Sequence, residues 1–294
     1  MFHGSMVALV TPMQVDGAID DVALRELVEW HIAEGTHALV AVGTTGESAT
    51  LEMREHVAVI QTVVEQARGR VPVIAGTGAN ATHEAIELTR AAMEVKADAA
   101  LLVSPYYNKP TQEGLFQHYS AIAEHCHFPI ILYNVPGRTA GDILPETVAR
   151  LAPRTDIVGI KEASGKVERV AEILALCGDQ VQVYSGDDGA ALAAMALGAR
   201  GVISVTANAA PRLMARMCDL ALAGDFVGAR AINAQLTGLH RDLFLESNPI
   251  PVKWALHEMG RMESALRLPL TTLSSVHHER LRESLRRAQC IRTF

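Results

Sequence analysis

Asp156-Ile157-Val158-Gly159-Ile160-Lys161-Glu162-Ala163-Ser164-Gly165 is an apolar run that ends in a lysine and gives way at once to small, turn-prone residues. A short apolar run bounded by turn signals reads as a buried strand. Side chains alternate along a strand, which puts Ile157, Gly159 and Lys161 on one face and Val158 and Ile160 on the other. An ammonium on a buried strand face is costly. It is tolerated where desolvation favours the neutral amine, and such an amine is a nucleophile near neutral pH. Gly159 leaves room on the same face for a long side chain and a ligand. Two readings stand at this point: a lysine that forms a Schiff base with a carbonyl compound, or one that snorkels from a strand end into solvent.

The same pattern recurs on both sides of this stretch. Upstream, Met6 to Val10 stops at Thr11-Pro12 and precedes a helix over 21–34, with Leu24, Leu27, Val28 and Ile32 at helical spacing. Ala38 to Val42 breaks at Gly43-Thr44-Thr45-Gly46-Glu47 before a helix over 51–67. Val71 to Ala75 breaks at Gly76-Thr77-Gly78 before a helix over 82–96. Ala99 to Val103 leads through a Pro- and Tyr-rich loop to a helix over 112–125, and Pro129 to Tyr133 precedes one over 145–152. Ile157 to Lys161 is then the sixth run, with a helix over 166–176. Val181 to Ser185 and Gly201 to Val205 follow, with helices over 187–197 and 210–223. Alternating strands and helices imply a parallel sheet. Eight such units in about 220 residues predict an α/β chain closed into a (β/α)8 TIM barrel rather than an open sheet. The barrel is expected over 1–224. Residues 225–294 read as a helical region throughout, broken at Ser247-Asn248-Pro249-Ile250-Pro251, and packed on the barrel or at a subunit contact.

Composition narrows the class. The chain has 294 residues, 49% of them hydrophobic, enough for one large domain or two modest ones. A net charge of -7 argues against nucleic acid and anionic membranes as partners. No apolar stretch is long enough to span a membrane, and the segment starting Met1-Phe2-His3-Gly4-Ser5-Met6 lacks the layout of a signal peptide. Cys126, Cys177, Cys218 and Cys290 are scattered without C-x-x-C spacing, as reduced thiols of a cytosolic protein would be.

In a barrel of this kind chemistry collects at the C-terminal strand ends. Those ends hold Thr44, Thr45 and Glu47, then Gly76-Thr77-Gly78, then Ser104, Tyr106, Tyr107 and Asn108. The later strands deliver Tyr133, Asn134 and Arg138; Lys161 and Glu162; Ser185, Gly186 and Asp187; and Ser204 and Thr206. Of the five lysines, Lys96, Lys109, Lys166 and Lys253 read as surface charges, and only Lys161 terminates a strand. That favours the catalytic reading of Lys161.

Tyr133 shares a face with Ile131 on the neighbouring strand. A phenol has an ordinary pKa of about 10, so it relays protons to a carbinolamine only if a nearby cation or hydroxyl chain tunes it. Thr44 and Tyr107 are candidate hydroxyls. The alternative for Tyr133 is an interfacial aromatic satisfied by backbone. Thr44 and Thr45 enter a helix from a Gly-flanked loop, where backbone amides bind carboxylates, and where a plain helix N-cap is equally compatible. Arg138, after Pro136-Gly137, offers a fork for a second carboxylate, or is a solvated loop arginine.

Metal and nucleotide readings are disfavoured. No strand ends in histidine, and His125-Cys126-His127 and His277-His278-Glu279 fall on or beside helices. Gly76-Thr77-Gly78-Ala79-Asn80-Ala81 fits G-x-G-x-x-A, but it lies in the third unit, and Asp98 precedes its strand instead of ending it.

Gly43-Thr44-Thr45-Gly46-Glu47, Ser104-Pro105-Tyr106-Tyr107-Asn108-Lys109-Pro110, Tyr133-Asn134-Val135-Pro136-Gly137-Arg138 and Gly159-Ile160-Lys161-Glu162-Ala163 are together recognisable. Over essentially its whole length the chain resembles the dihydrodipicolinate synthase family of pyruvate-dependent class I aldolases. The first and last motifs are shared with sister enzymes such as N-acetylneuraminate lyase; the middle two point to the synthase branch. The resemblance implies a lyase in the first committed step of lysine and diaminopimelate biosynthesis, acting in the cytoplasm on pyruvate and L-aspartate 4-semialdehyde. It implies a covalent pyruvate imine on Lys161 and no metal or organic cofactor. Tyr133, Thr44 and Tyr107 would pass protons, Tyr107 coming from a neighbouring subunit of a homotetramer, a dimer of dimers. Thr45 and the backbone at Ile203 would hold the pyruvate carboxylate near Gly186, and Arg138 the semialdehyde carboxylate. An allosteric L-lysine site maps onto Ser48, Ala49, His56, Asn80, Glu84 and Tyr106, with Met53 departing from the histidine of some strongly inhibited relatives. Two other readings remain: a sister aldolase that cleaves N-acetylneuraminate or a keto-deoxy sugar acid, against which Arg138 argues, and a non-catalytic barrel that senses pyruvate or lysine.

Overall fold

The computed structural model describes residues 2–291; Met1 and residues 292–294, the outer ends of the two expected regions, lie outside the described residues. Eight strands pair in chain order and close on themselves, β1 against β8, so the expected barrel forms. They are β1 (Gly4–Ala8), β2 (Ala38–Ala41), β3 (Val73–Gly76), β4 (Ala99–Val103), β5 (Ile130–Asn134), β6 (Ile157–Glu162), β7 (Gln182–Ser185) and β8 (Gly201–Ser204). All pair in parallel, and nearly every strand residue is buried. That is why the strands read as continuous apolar runs rather than alternating ones.

Helices follow the strands: α1 (Asp21–Ala33), α2 (Met53–Ala67), α3 (Thr82–Glu94), α4 (Gln112–Cys126), the single turn α5 (Pro136–Thr139), α6 (Pro145–Leu151), α7 (Glu168–Cys177), α8 (Ala191–Ala196) and α9 (Pro211–Leu222). Local chemistry starts them. The Asp20 carboxylate accepts from the Ala23 N–H, the Thr111 hydroxyl from the Gly114 N–H, and Pro stands in the first turn of α5, α6 and α9. The apolar core has two parts. An inner plug fills the barrel with Met6, Val40, Ile74, Leu101, Ile131, Tyr133, Tyr184 and Ile203, and an outer layer joins strands to helices.

One face assignment changes. Ile130 pairs with Ile157 but Ile131 pairs with Gly159, so β6 carries one extra residue at this point. The bulge turns Ile157 outward into the strand–helix layer and Val158 against the inner plug. Gly159 and Lys161 do share the inward face, as the alternation predicts. The room beside Gly159 is taken by a ring: a Cβ there would lie 2.7 Å from Tyr184 Cε2.

Beyond the barrel come α10 (Phe226–Asp242), α11 (Ile250–Glu258) and α12 (His278–Arg287), with α10 packed between α9 and α12. The region is not helical throughout. Residues 259–274 form no helix. Arg267 holds this stretch to the barrel, donating to Gly17 O at 2.9 Å, Thr50 O at 2.8 Å and the Glu55 carboxylate at 2.6 Å. Among the described residues no helix is long and apolar enough to cross a membrane.

Candidate active site

Lys161 is the penultimate residue of β6, inside the barrel mouth and 6% exposed. Its register partner on β5 is Tyr133, and its Nζ lies 4.2 Å from the centroid of that ring. A cation over a π face is attracted by the ring quadrupole, so the amine and the phenol ring are direct neighbours. On the other side the chain leaves space by omitting a side chain. A Cβ on Gly186 would sit 3.0 Å from Lys161 Cε and 2.5 Å from the Ala163 Cβ. Gly186 is therefore packed directly against the lysine side chain.

The surroundings hold two further acids. Burial pushes the Asp187 carboxyl up, while the Gly165 N–H and the Lys161 charge pull the other way. Burial also raises Glu162, which points away from the plug; its carboxylate accepts from Ser164 N at 2.7 Å and Asn134 Nδ2 at 3.0 Å. The Asn134–Glu162 bond ties the ends of β5 and β6 together one residue beyond Tyr133 and Lys161, and Asn134 in turn accepts from Ile143 N at 2.9 Å.

Thr44-Thr45-Gly46 form one 3-10 turn, followed by Glu47 in the left-handed region at φ 59°. The turn does not cap α2. That helix is opened by Glu52, whose N–H donates to the Glu55 carboxylate at 3.0 Å. Thr45 is buried, and its hydroxyl accepts from Asn248 Nδ2 at 2.9 Å. Glu47 is buried too, and its partner is Lys253: the two meet at 2.5 Å with side chains 1% and 0% exposed. Lys253 is thus not the surface charge its sequence context suggests. Burial holds its ammonium below the usual lysine range, against the opposing pull of Glu47.

Ile203 lies fully buried on β8, in register with Met6. The backbone after it is fixed by Asp188, whose carboxylate accepts from Val205 N at 3.0 Å, Thr206 N at 2.9 Å and the Ser204 hydroxyl. Arg138 lies exposed on α5 and donates to Asn248 O at 3.2 Å. Tyr107 is the outlier: 89% exposed, at φ 74°. Among the described residues the hydroxyls of Tyr133, Thr44 and Tyr107 are not hydrogen-bonded to one another.

A cavity of about 460 Å³ opens beside this mouth. Thr44, Val135, Arg138 and Asn248 line it together with Ser48, Ala49, Met53, His56, Glu84 and Tyr106. Lys161 and Tyr133 are not in its wall. Asn80 is not either, though its amide reaches Tyr106 O at 3.4 Å. The His56 Nε2–H donates to Gly76 O at 2.7 Å, and burial keeps the ring below the usual histidine range.

The glycine-rich turn after β3 has a packing role. A Cβ on Gly76 would meet Val42 O at 2.3 Å, and one on Gly78 would meet Val103 N at 2.4 Å. The histidine pairs take structural bonds: His125 to Ala121 O, and His278 to Leu273 O while stacked on Trp254. Among the described residues no group of three or more His, Cys, Asp and Glu is placed to hold a metal ion.

Sequence reasoning missed three members of this neighbourhood: Asn248, Lys253 and Asp188. Asn248 and Lys253 lie more than 200 residues from their partners, with nothing local to mark them. Asp188 stood next to the noted Asp187 and was separable from it only by direction.

The chain is 99% identical to the 4-hydroxy-tetrahydrodipicolinate synthase of Acidithiobacillus ferrooxidans over 291 residues, covering 99% of this chain and all of the relative. The dihydrodipicolinate synthase of Acinetobacter baumannii, solved in complex with pyruvate, superposes with a TM-score of 0.98 at 55% identity, over 99% of this chain and 100% of that one. The enzyme of Cyanidioschyzon merolae, solved with lysine bound, superposes with a TM-score of 0.95 at 37% identity, over 99% of each chain. The Dihydrodipicolinate synthetase family model matches residues 1–288, and with these likenesses in sequence and fold the chain belongs to that family.

Proposed function

We propose that the chain makes 4-hydroxy-tetrahydrodipicolinate by condensing pyruvate with L-aspartate 4-semialdehyde on Lys161. One observation carries the reading: the buried amine of Lys161 on β6 has its Nζ 4.2 Å from the ring centre of Tyr133. The Lys161 amine adds to the keto carbon of pyruvate, and the carbinolamine loses water to give an imine. Loss of a methyl proton gives the enamine, whose carbon attacks the aldehyde of the semialdehyde. The substrate amine then closes onto the imine carbon and expels Lys161 as the free amine. Tyr133 carries the protons, through Thr44 and a Tyr107 supplied by a neighbouring subunit. Thr45 and the backbone at Ile203 receive the pyruvate carboxylate; Gly186 leaves the space for it beside the lysine. Arg138, exposed at the cavity rim, takes the semialdehyde carboxylate. No metal or organic cofactor enters this sequence.

The active assembly is a homotetramer in the cytoplasm. L-lysine acts as an effector, bound where Ser48, Ala49, His56, Glu84 and Tyr106 line the cavity, with Asn80 bracing Tyr106 from outside it. A lysine-bound relative supports this reading.

Borohydride reduction in the presence of pyruvate tests the central step. The peptide containing Lys161 should gain the mass of a reduced pyruvate adduct, and Lys161→Ala should abolish both adduct and turnover. An adduct on another lysine, or turnover by the Ala variant, would refute the mechanism. Assaying the same enzyme against added L-lysine tests the effector; unchanged rates into the millimolar range would remove it.

A further inference from the structure

Asn248 belongs to the break before α11 and carries none of the roles above. It is 6% exposed, and it lines the cavity beside Thr44 and Arg138. Among the described residues it is the one that hydrogen-bonds both Thr45 and Arg138. Its Nδ2 donates to Thr45 Oγ1 at 2.9 Å, and its backbone carbonyl accepts from Arg138 Nη2 at 3.2 Å. Its Oδ1 is buried with no hydrogen-bond partner.

The direction of the first bond matters. A threonine hydroxyl has one proton and two lone pairs. An amide N–H that fills a lone pair leaves the proton for some other acceptor, and a carboxylate is an acceptor only. We propose that Asn248 is a positioning residue: it aims the Thr45 proton at the carboxylate of the keto acid and holds Arg138 at the rim for that of the amino aldehyde. This rests on the assignment of Thr45 and Arg138 given under Proposed function. Anchoring of the segment alone does not require the amide, because Lys253 and Glu47 already pin the same two stretches together. A carboxylate in place of Asn248 would reverse the bond, drawing the Thr45 proton to itself and adding a negative charge where another must land.

The test uses the full-chain enzyme and two variants, Asn248→Asp and Asn248→Ala. For Asn248→Asp the KM for pyruvate should rise about tenfold or more, the scale of one lost hydrogen bond to a charged group. Half-saturation of borohydride trapping should move by the same factor, while trapping at saturating pyruvate and kcat stay within a few-fold. Asn248→Ala leaves the Thr45 proton free but unaimed, so its KM should rise less. In a Thr45→Val background the Asp effect should largely vanish. An unchanged KM in both Asn248 variants would overturn the proposal. So would losses of kcat, both KM values and melting temperature together, the pattern of a purely structural residue. If Asn248→Asp does not fold, Asn248→Ala decides: a KM equal to that of the unsubstituted enzyme sinks the idea. Thr45→Val separates the two layers. If Thr45→Val leaves the pyruvate KM unchanged, the assignment of Thr45 fails; if it raises the KM while the Asn248 variants do not, only this inference fails.

Discussion

At the scale of single residues the chemistry reduces to an amine and a phenol on adjacent strands. Lys161 and Tyr133 are register partners, so the strand spacing itself sets their separation and no loop has to place them. The two differ in what they do for pyruvate. In the proposed mechanism the amine forms the bond, and the phenol moves protons before and after. Tyr133→Phe keeps the ring under Nζ and removes only the proton carrier. Trapping of pyruvate by borohydride should therefore persist in that variant, while turnover falls by about 10²-fold or more. Turnover within a few-fold of the unsubstituted enzyme would assign proton transfer elsewhere, with Asp187, whose carboxyl feels the Lys161 charge, the acid to examine. This pair was legible in the sequence because strand ends can be counted: an apolar run closing on a lysine, and one closing on a tyrosine, on successive strands. The bulge at Val158 was not, since an extra residue shows only against a partner strand. Its effect stops short of Lys161, because Gly159 restores the alternation.

At the scale of elements, the turn after β2 is held from the far end of the chain. Glu47 sits in a left-handed conformation with its carboxylate on Lys253 Nζ and the Arg267 N–H, at 2.5 and 3.3 Å. Removing one partner of a buried pair strands the other charge, which typically costs about 3–5 kcal/mol, whereas neutralising both often costs little. Lys253→Met should accordingly lower stability to denaturant by that order, and Glu47→Gln added to it should restore much of the loss. A single variant that costs under about 1 kcal/mol, within the range of exposed pairs, would show that the turn is held by something else. The sequence hid this link for a physical reason. A lysine after Ile250-Pro251-Val252 carries the local signature of a helix start in solvent, and burial there is decided by a contact 206 positions away. Residues 259–274 defeated the helical reading for a related reason: Arg267 satisfies backbone carbonyls at Gly17 and Thr50, and tertiary bonds of that kind outweigh local propensity. The eight strand–helix units were legible because each is bounded by its own turn chemistry.

At the scale of the whole molecule, one chain presents the groups of the proposed mechanism with Tyr107 left unseated. Its ring stands 89% exposed on a backbone at φ 74°, a conformation that non-glycine residues adopt at a cost. Among the described residues the one hydrogen bond that Tyr107 makes is from its N–H to Thr139 O at 3.4 Å. A large exposed aromatic on a costly backbone is better explained by a partner surface than by solvent, and a symmetric pair of chains would exchange such residues reciprocally. If Tyr107 completes the site of a neighbour, two inactive variants carry complementary halves. Lys161→Ala supplies a sound Tyr107, and Tyr107→Phe supplies a sound Lys161. Mixed subunits of the two should regain activity at roughly a quarter of the sites, the yield of random pairing within a two-fold dimer. Light scattering on the unsubstituted enzyme should report about four chains per particle, and the mixture should recover turnover only after dissociation and reassociation. If the variants are exchanged into one particle and stay inactive, Tyr107 serves its own chain, and the proton path must then run within a single barrel.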